Sequence, residues 1–233
     1  MSISPNKDTE GLLEYLTNFS TEERQETLKN VLEQRTNRIV VVLEDLHKAH
    51  NANAVLRSCD GFGIQDVYII ENKNEFDTAS SVSLGAHKWL TLHRFNTPGE
   101  DNVKACFDAL HAKGYKILAT SPHENDTDIH QVAVNEKVAL VFGTELDGIS
   151  DNVKALADGF VKIPMFGFSE SFNISVSAAI CIYELTTRLR DADIDWRLEK
   201  GYKQELLCDW TKKSIKAGDR LEEKYYKEIK KPE

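Results

Sequence analysis

Three short segments hold most of the residues in this 233-residue chain whose types and spacing suit chemistry. The first reads His47-Lys-Ala-His-Asn51-Ala-Asn-Ala54-Val-Leu-Arg57-Ser-Cys-Asp-Gly-Phe-Gly63. Its arginine offers a planar fork of donors suited to a phosphate or a developing oxyanion, although on a helix Arg57 would also reach Asp60 or Asn53. Asn51, at a helix start, would serve equally as a ligand contact or as a cap for free backbone N–H groups. The second segment, Val138 to Ser150, is an apolar run that ends in Gly143-Thr-Glu145-Leu-Asp-Gly148, with Ser150 placed to cap a following helix. Glycines at the carboxyl end of a strand let backbone approach a bound molecule closely. In the third, Ile163-Pro-Met165-Phe-Gly167-Phe-Ser-Glu-Ser171-Phe-Asn173-Ile-Ser175, a proline and glycine loop leads into a helix rich in small residues. Core packing explains the alanines of that helix, but it leaves Ser171 and Asn173 without a role.

Other chemistries are absent from the sequence. Neither G-x-G-x-x-G nor G-x-x-x-x-G-K-[ST] occurs, which argues against a dinucleotide-dependent dehydrogenase and a P-loop NTPase. Of seven histidines only His47 and His50 are close neighbours, and no cysteine or carboxylate joins them at metal-ligand spacing, so no metal is expected. The run from His123 to His130 lacks the central glycine and terminal glutamate of a calcium loop and reads as a polar connection. There is no G-x-S-x-G elbow for a hydrolase. Cys59, Cys106, Cys181 and Cys208 are far apart within apolar stretches and read as reduced packing residues.

The elements that must position the three segments follow from periodicity. Arg38 to Glu44 is a β-branched run of the kind buried on both faces of a parallel sheet. Helix Ala52–Phe62 follows, closed by Gly63, then strands Asp66–Ile70 and Trp89–Phe95, helix Asn102–Ala112 ended by Gly114, and strand Tyr115–Thr120. After the polar stretch come strand Val138–Phe142, helix Asp151–Ala157, strand Phe160–Ile163 and a long helix from Ser171 to about Arg190. This order predicts an α/β domain with a mainly parallel sheet and helices on both faces. The expected organisation is a helical extension over 1–35, with a capping box at Ser20-Thr21-Glu22-Glu23, a domain over 36–190, and a second helical extension over 191–233.

Twenty-nine basic and 38 acidic residues give a net charge of −9, which by itself speaks against a nucleic-acid partner. The segment from Lys203 to Lys231 differs, with nine basic residues against six acidic ones. Hydrophobic residues at 41% and charged residues at 29% belong to a globular chain, with no run approaching a membrane span and no basic, apolar leader at the N-terminus. A cytoplasmic location is the expectation.

Taken in order and spacing, the three segments match N-x-x-A-x-x-R, G-x-E-x-x-G and I-P-M-x-G-x-x-x-S-x-N-x-S. They resemble the SpoU branch of the SPOUT RNA methyltransferases over roughly residues 36–185. The approach Val41-x-Leu43-Glu44-x-Leu46-His47-Lys48-x-His50-Asn51 and the segment Gly85-Ala-His-Lys88-Trp89 are most similar to members that methylate guanosine 18 in the D-loop of transfer RNA.

The resemblance implies a trefoil-knotted sheet, a homodimer, and transfer of a methyl group from S-adenosylmethionine to a ribose 2′-hydroxyl of tRNA. It implies Gly143, Glu145, Ile163, Met165 and Ser171 around the cofactor, and Arg57, Asn51 and Asn173 at the reacting hydroxyl. RNA contact falls to Lys48, His50, Lys88, Arg188, Arg190 and the basic tail. A guanidinium is a poor base, so Arg57 is expected to clamp a phosphate and stabilise the developing alkoxide. The same reaction on ribosomal RNA or at another tRNA position remains an alternative, and a non-catalytic RNA-binding module is a distant one.

Overall fold

The computed structural model describes residues 8–46, 48–74, 85–121, 127–144 and 147–229. Two compact units emerge: one is 36–196, and the other combines the described parts of 1–35 and 197–233.

The larger unit is a seven-stranded sheet of β1 (Ile39–Glu44), β2 (Asp66–Ile70), β3 (Thr91–Phe95), β4 (Tyr115–Thr120), β5 (Thr127–Asp128), β6 (Lys137–Phe142) and β7 (Gly159–Lys162). The strand order is β3-β2-β1-β6-β4-β7-β5, and every ladder is parallel. All six residues of β1 are buried, as its unbroken apolar run requires.

Alternation along the strands separates two cores. Val41, Leu43, Leu140 and Phe142 face α3 (Ala49–Phe62) and α6 (Ile174–Asp191), whose Val55, Cys59, Ala178, Ile182 and Leu185 are buried with them. Val40, Val42, Ala139 and Val141 face the opposite layer, α4 (Asn102–Ala112) and α5 (Asp151–Leu156), which contributes Phe107, Leu110 and Val153. Gly63 ends α3 at φ 81°, the left-handed stop its sequence position requires.

Four local expectations change. The helix α3 begins at Ala49, three residues early, with Lys48 at its cap position and no side-chain cap bond. Asn51 therefore stands inside the first turn and is not the cap. The helix α6 begins at Ile174, because Asn173 caps it by accepting the N–H of Ser175 at 2.9 Å. Within the polar connection Thr127 and Asp128 pair with β7 as an edge strand, a segment too short for periodicity to reveal. Residues 191–196 belong with the sheet unit, since Thr36 Oγ1 donates to the Trp196 carbonyl at 2.6 Å and the Arg190 guanidinium lies 5.3 Å from the Trp196 ring centre.

The smaller unit packs α1 (Thr9–Thr17) and α2 (Glu22–Leu32) against α7 (Lys200–Ser214), followed by α8 (Gly218–Lys224) and a π-helical turn at Tyr225–Ile229. Thr21 caps α2 through the N–H of Arg24 at 3.2 Å. Leu12, Leu16, Leu28, Leu32, Leu206 and Trp210 are buried, and the Arg35 guanidinium lies over the Trp210 ring at 5.3 Å. No described helix is long and apolar enough to cross a membrane. All four cysteines are buried.

Candidate active site

A cavity of about 540 Å³ opens at the carboxyl ends of β4, β6 and β7, within the volume range of small-molecule sites. In a parallel sheet this is the edge where loops converge on a ligand. Three loops build it.

The loop after β6 is closed by an antiparallel bridge between Thr144 and Gly148. The N–H of Thr144 donates to the Gly148 carbonyl at 2.8 Å and the N–H of Gly148 returns to the Thr144 carbonyl at 3.1 Å. Gly148 holds φ 68°, and a Cβ on Gly143 would lie 2.2 Å from the Gly148 oxygen, so the chain crosses itself where only glycine fits. Past the bridge, Ser150 caps α5 by accepting the Val153 N–H at 3.2 Å. The loop after β7 contributes Ile163, Met165 and Ser171, and ends in Asn173 at the α6 cap. From the start of α3 come Lys48 and Asn51. Asn173 Nδ2 donates to Asn51 Oδ1 at 3.5 Å, the long limit of a hydrogen bond, so two motifs 122 residues apart meet at one point.

The lining is mixed, as a nucleoside-like ligand requires: Phe142, Val161, Ile163 and Met165 are apolar, while Asn51, Thr120, Ser171 and Asn173 carry polar groups. Burial pushes the Cys181 thiol, also on the wall, up to about 12, so it lines the site without acting as a nucleophile. Among the described residues no group of three or more metal-ligating side chains occurs.

The sequence-predicted residues divide sharply. Lys48, Asn51, Gly143, Ile163, Met165, Ser171 and Asn173 all line the cavity. Glu145 and His47 lie outside the described residues. Arg57 is exposed on the outer side of α3, is not part of the wall, and has no hydrogen-bond or ion-pair partner among the described residues. His50 is exposed in the first turn of α3, and Lys88 is exposed at the end of the short 3₁₀ turn Ala86–Lys88.

Arg188 and Arg190 are engaged within the chain. Arg188 donates to the carbonyls of Ile129 at 3.3 Å and Val132 at 2.6 Å, and Arg190 donates to the Phe62 carbonyl at 2.9 Å while burial pulls its pKa down. In the tail, Lys212 pairs with Glu222, Lys213 with Asp209, Lys224 with Glu228 and Lys227 with Glu223, which engages four of its nine basic residues while leaving its net positive excess unchanged.

Sequence reasoning missed three features. Lys162 and Ser177 line the cavity; both sit inside the third segment or next to it. Glu44, 2% exposed at the end of β1, accepts the N–H of Ser150 at 3.0 Å. Its neighbour Asp45 adopts φ 47° and accepts the N–H groups of Asn72 at 2.7 Å, Lys73 at 2.8 Å and Asn74 at 3.3 Å. A left-handed aspartate is a strained residue that its surroundings must hold.

Fold and site together define an α/β protein with a mixed polar and apolar cavity at the carboxyl edge of its sheet and a pair of amides in its lining. The chain belongs to the SpoU rRNA Methylase family, whose model matches residues 38–183. It is 38% identical over 201 residues to the tRNA (guanosine(18)-2′-O)-methyltransferase of Borreliella burgdorferi, covering 86% of this chain and 90% of that one. Among solved structures it is similar to the TrmH/SpoU tRNA modifying enzyme of A. aeolicus, with TM-score 0.71, 27% identity, and 83% and 98% of the two chains covered. The SpoU methyltransferase AviRb from Streptomyces viridochromogenes, solved in complex with AdoMet, shares the fold at TM-score 0.57 and 23% identity, over 68% and 60% of the chains.

Proposed function

We propose that this protein transfers a methyl group from S-adenosylmethionine to the ribose 2′-hydroxyl of guanosine 18 in the D-loop of tRNA. The observation that carries the reading is the meeting of Asn51 and Asn173 at the rim of a cavity walled by the glycine loop after β6 and the Ile163–Ser171 loop. The same reaction on ribosomal RNA is the second reading, and the family description alone would allow it. The match to tRNA guanosine-18 enzymes over more than four fifths of the chain favours tRNA.

The residues present fit the cofactor. Gly143 and Gly148 strip side chains from the loop that would wrap its nucleoside, and Ile163 and Met165 supply apolar wall. When bound, it supplies an electrophilic methyl on a good leaving group, so what remains for the protein is alignment of the ribose oxygen and removal of its proton. Asn173, fixed as a helix cap, holds Asn51, and the pair orients the incoming ribose. Arg57 holds the adjacent phosphate and stabilises the developing alkoxide with its fixed charge. Lys48, His50 and Lys88, all exposed, are the RNA contacts of the sheet unit.

Arg57 follows Asn51 by six residues, about 9 Å along α3 and roughly a third of a turn away, which carries it from its own cavity. Phe166 (97% exposed), Phe168 (109%), Phe172, Val176 and Tyr183 leave apolar surface on the Ile163–Phe172 loop and the outer side of α6. A homodimer that covers this surface and lends Arg57 to the partner's cavity answers both observations. A C-terminal trefoil knot and action in the cytoplasm belong to the same reading.

The test is a pair of tRNA transcripts that differ only in a 2′-deoxyguanosine at position 18. Labelled methyl should enter the ribose form and not the deoxy form. Equal incorporation would refute the site.

A further inference from the structure

We infer that Glu44 is a positioning residue for cofactor binding, whose carboxylate fixes the Thr144–Gly148 bridge after β6 by holding the Ser150 N–H. The inference rests on the S-adenosylmethionine reading. The strand β1 lies beside β6 in register, Leu43 opposite Phe142, so Glu44 stands where the loop departs. The chain leaves β6 at Gly143, is pinned by the Thr144–Gly148 pair and must end somewhere definite for its backbone to face a ligand. It ends at Ser150, whose N–H donates to Glu44 Oε2 at 3.0 Å across 106 residues of sequence.

Local stability does not account for this carboxyl. It is 2% exposed, its Oε1 has no hydrogen-bond partner among the described residues, and burial pushes its pKa above the usual carboxylate value against the opposing pull of the Ser150 side chain and N–H. Burying an acid with one oxygen unused costs free energy. What the arrangement secures is the end of a loop that forms one wall of the cavity. Ser150 also uses its side chain as the α5 cap, so a single residue joins the loop, the helix and β1.

Four variants separate positioning from general stability. Glu44→Ala removes the acceptor, whereas Glu44→Gln keeps an amide oxygen for the Ser150 N–H. Ser150→Ala removes the cap and the side-chain contact to Glu44 and keeps the N–H; Ser150→Pro removes the N–H as well, and its fixed φ suits the −67° found there. Binding of S-adenosylhomocysteine by titration calorimetry, with thermal unfolding as a check, reads the result. Glu44→Ala and Ser150→Pro should weaken binding about tenfold, with Glu44→Gln and Ser150→Ala within threefold of wild type, and kcat at saturating cofactor should hold in every folded variant. If Glu44→Ala fails to fold, the Ser150→Pro and Ser150→Ala comparison decides alone. Equal affinities for Ser150→Pro and Ser150→Ala, or for Glu44→Ala and wild type, would overturn the inference. No binding by the wild-type protein would overturn the cofactor reading itself.

Discussion

Replacing Gly143 by alanine tests the cofactor loop by a single carbon. An added Cβ would lie 2.2 Å from the Gly148 oxygen, 2.3 Å from its carbonyl carbon and 2.4 Å from the Ile149 nitrogen, against the 3.4 Å at which ordinary contact begins. All three are backbone atoms, so no rotamer change relieves the clash and the two sides of the loop must part by about 1.2 Å. That displacement stretches the Thr144–Gly148 pair, now at 2.8 and 3.1 Å, beyond hydrogen-bonding range. Overpacking of this kind costs about 1–3 kcal/mol, and because it falls on the wall of the cavity it should appear as a roughly 10- to 100-fold loss of S-adenosylhomocysteine affinity. Gly167→Ala is the control, since nothing lies within 4 Å of a Cβ there, and it should bind within twofold of wild type. Calorimetric titration of both variants reads the difference. Wild-type affinity in folded Gly143→Ala would refute the close-approach reasoning.

Arg57→Ala, and equally Arg57→Lys, should abolish methylation with cofactor affinity unchanged; substantial activity in the lysine variant would contradict a need for the guanidinium fork. If Arg57 serves the partner's cavity, mixing the Arg57→Ala and Gly143→Ala variants should restore about a quarter of the sites, whereas service within one chain predicts no recovery. Because burial raises the Glu44 pKa, its ionisation destabilises the fold above the ordinary glutamate range and not below it. Glu44→Gln should therefore have a higher Tm than wild type at pH 8, with the gap closing as pH falls below that range; a gap independent of pH would contradict this. Lys216 and Arg220 are exposed and unpaired among the described residues, so alanine at both should weaken tRNA binding several-fold without changing cofactor affinity. Unchanged binding in a filter assay would remove the tail from the RNA contacts.

What could be read from the chain follows how far apart the interacting residues lie. The sheet was legible because Ile39–Leu43 of β1 and Val138–Phe142 of β6 are unbroken apolar runs, and a parallel sheet buries such runs on both faces. The cavity was legible through its motifs, and the loop glycines occupy the positions their spacing suggested. The edge strand at Thr127–Asp128 escaped because two residues carry no period. The start of α3 escaped because Lys48 is no capping residue, so the eye falls on Asn51 instead.

Longer-range bonds escaped for a different reason. Arg188 and Arg190 read as free cations, yet Arg188 donates to carbonyls 56 and 59 residues away and Arg190, besides Thr186 on its own helix, to one 128 residues away, and Glu44 meets Ser150 across 106. The tail is the opposite case. Asp209–Lys213, Glu223–Lys227 and Lys224–Glu228 are spaced four apart on helical turns, so that pairing is legible in the sequence itself. Removing the segment beyond Lys203 would also strip Leu206 and Trp210 from the core they share with α1 and α2, so point substitutions are the sounder probe.

The most direct measurement is mass spectrometry of tRNA digested after incubation with the purified protein and methyl-labelled S-adenosylmethionine. The account predicts one labelled 2′-O-methylguanosine per molecule, mapped to position 18. Label on a base, label at another nucleotide, or none at all would contradict it.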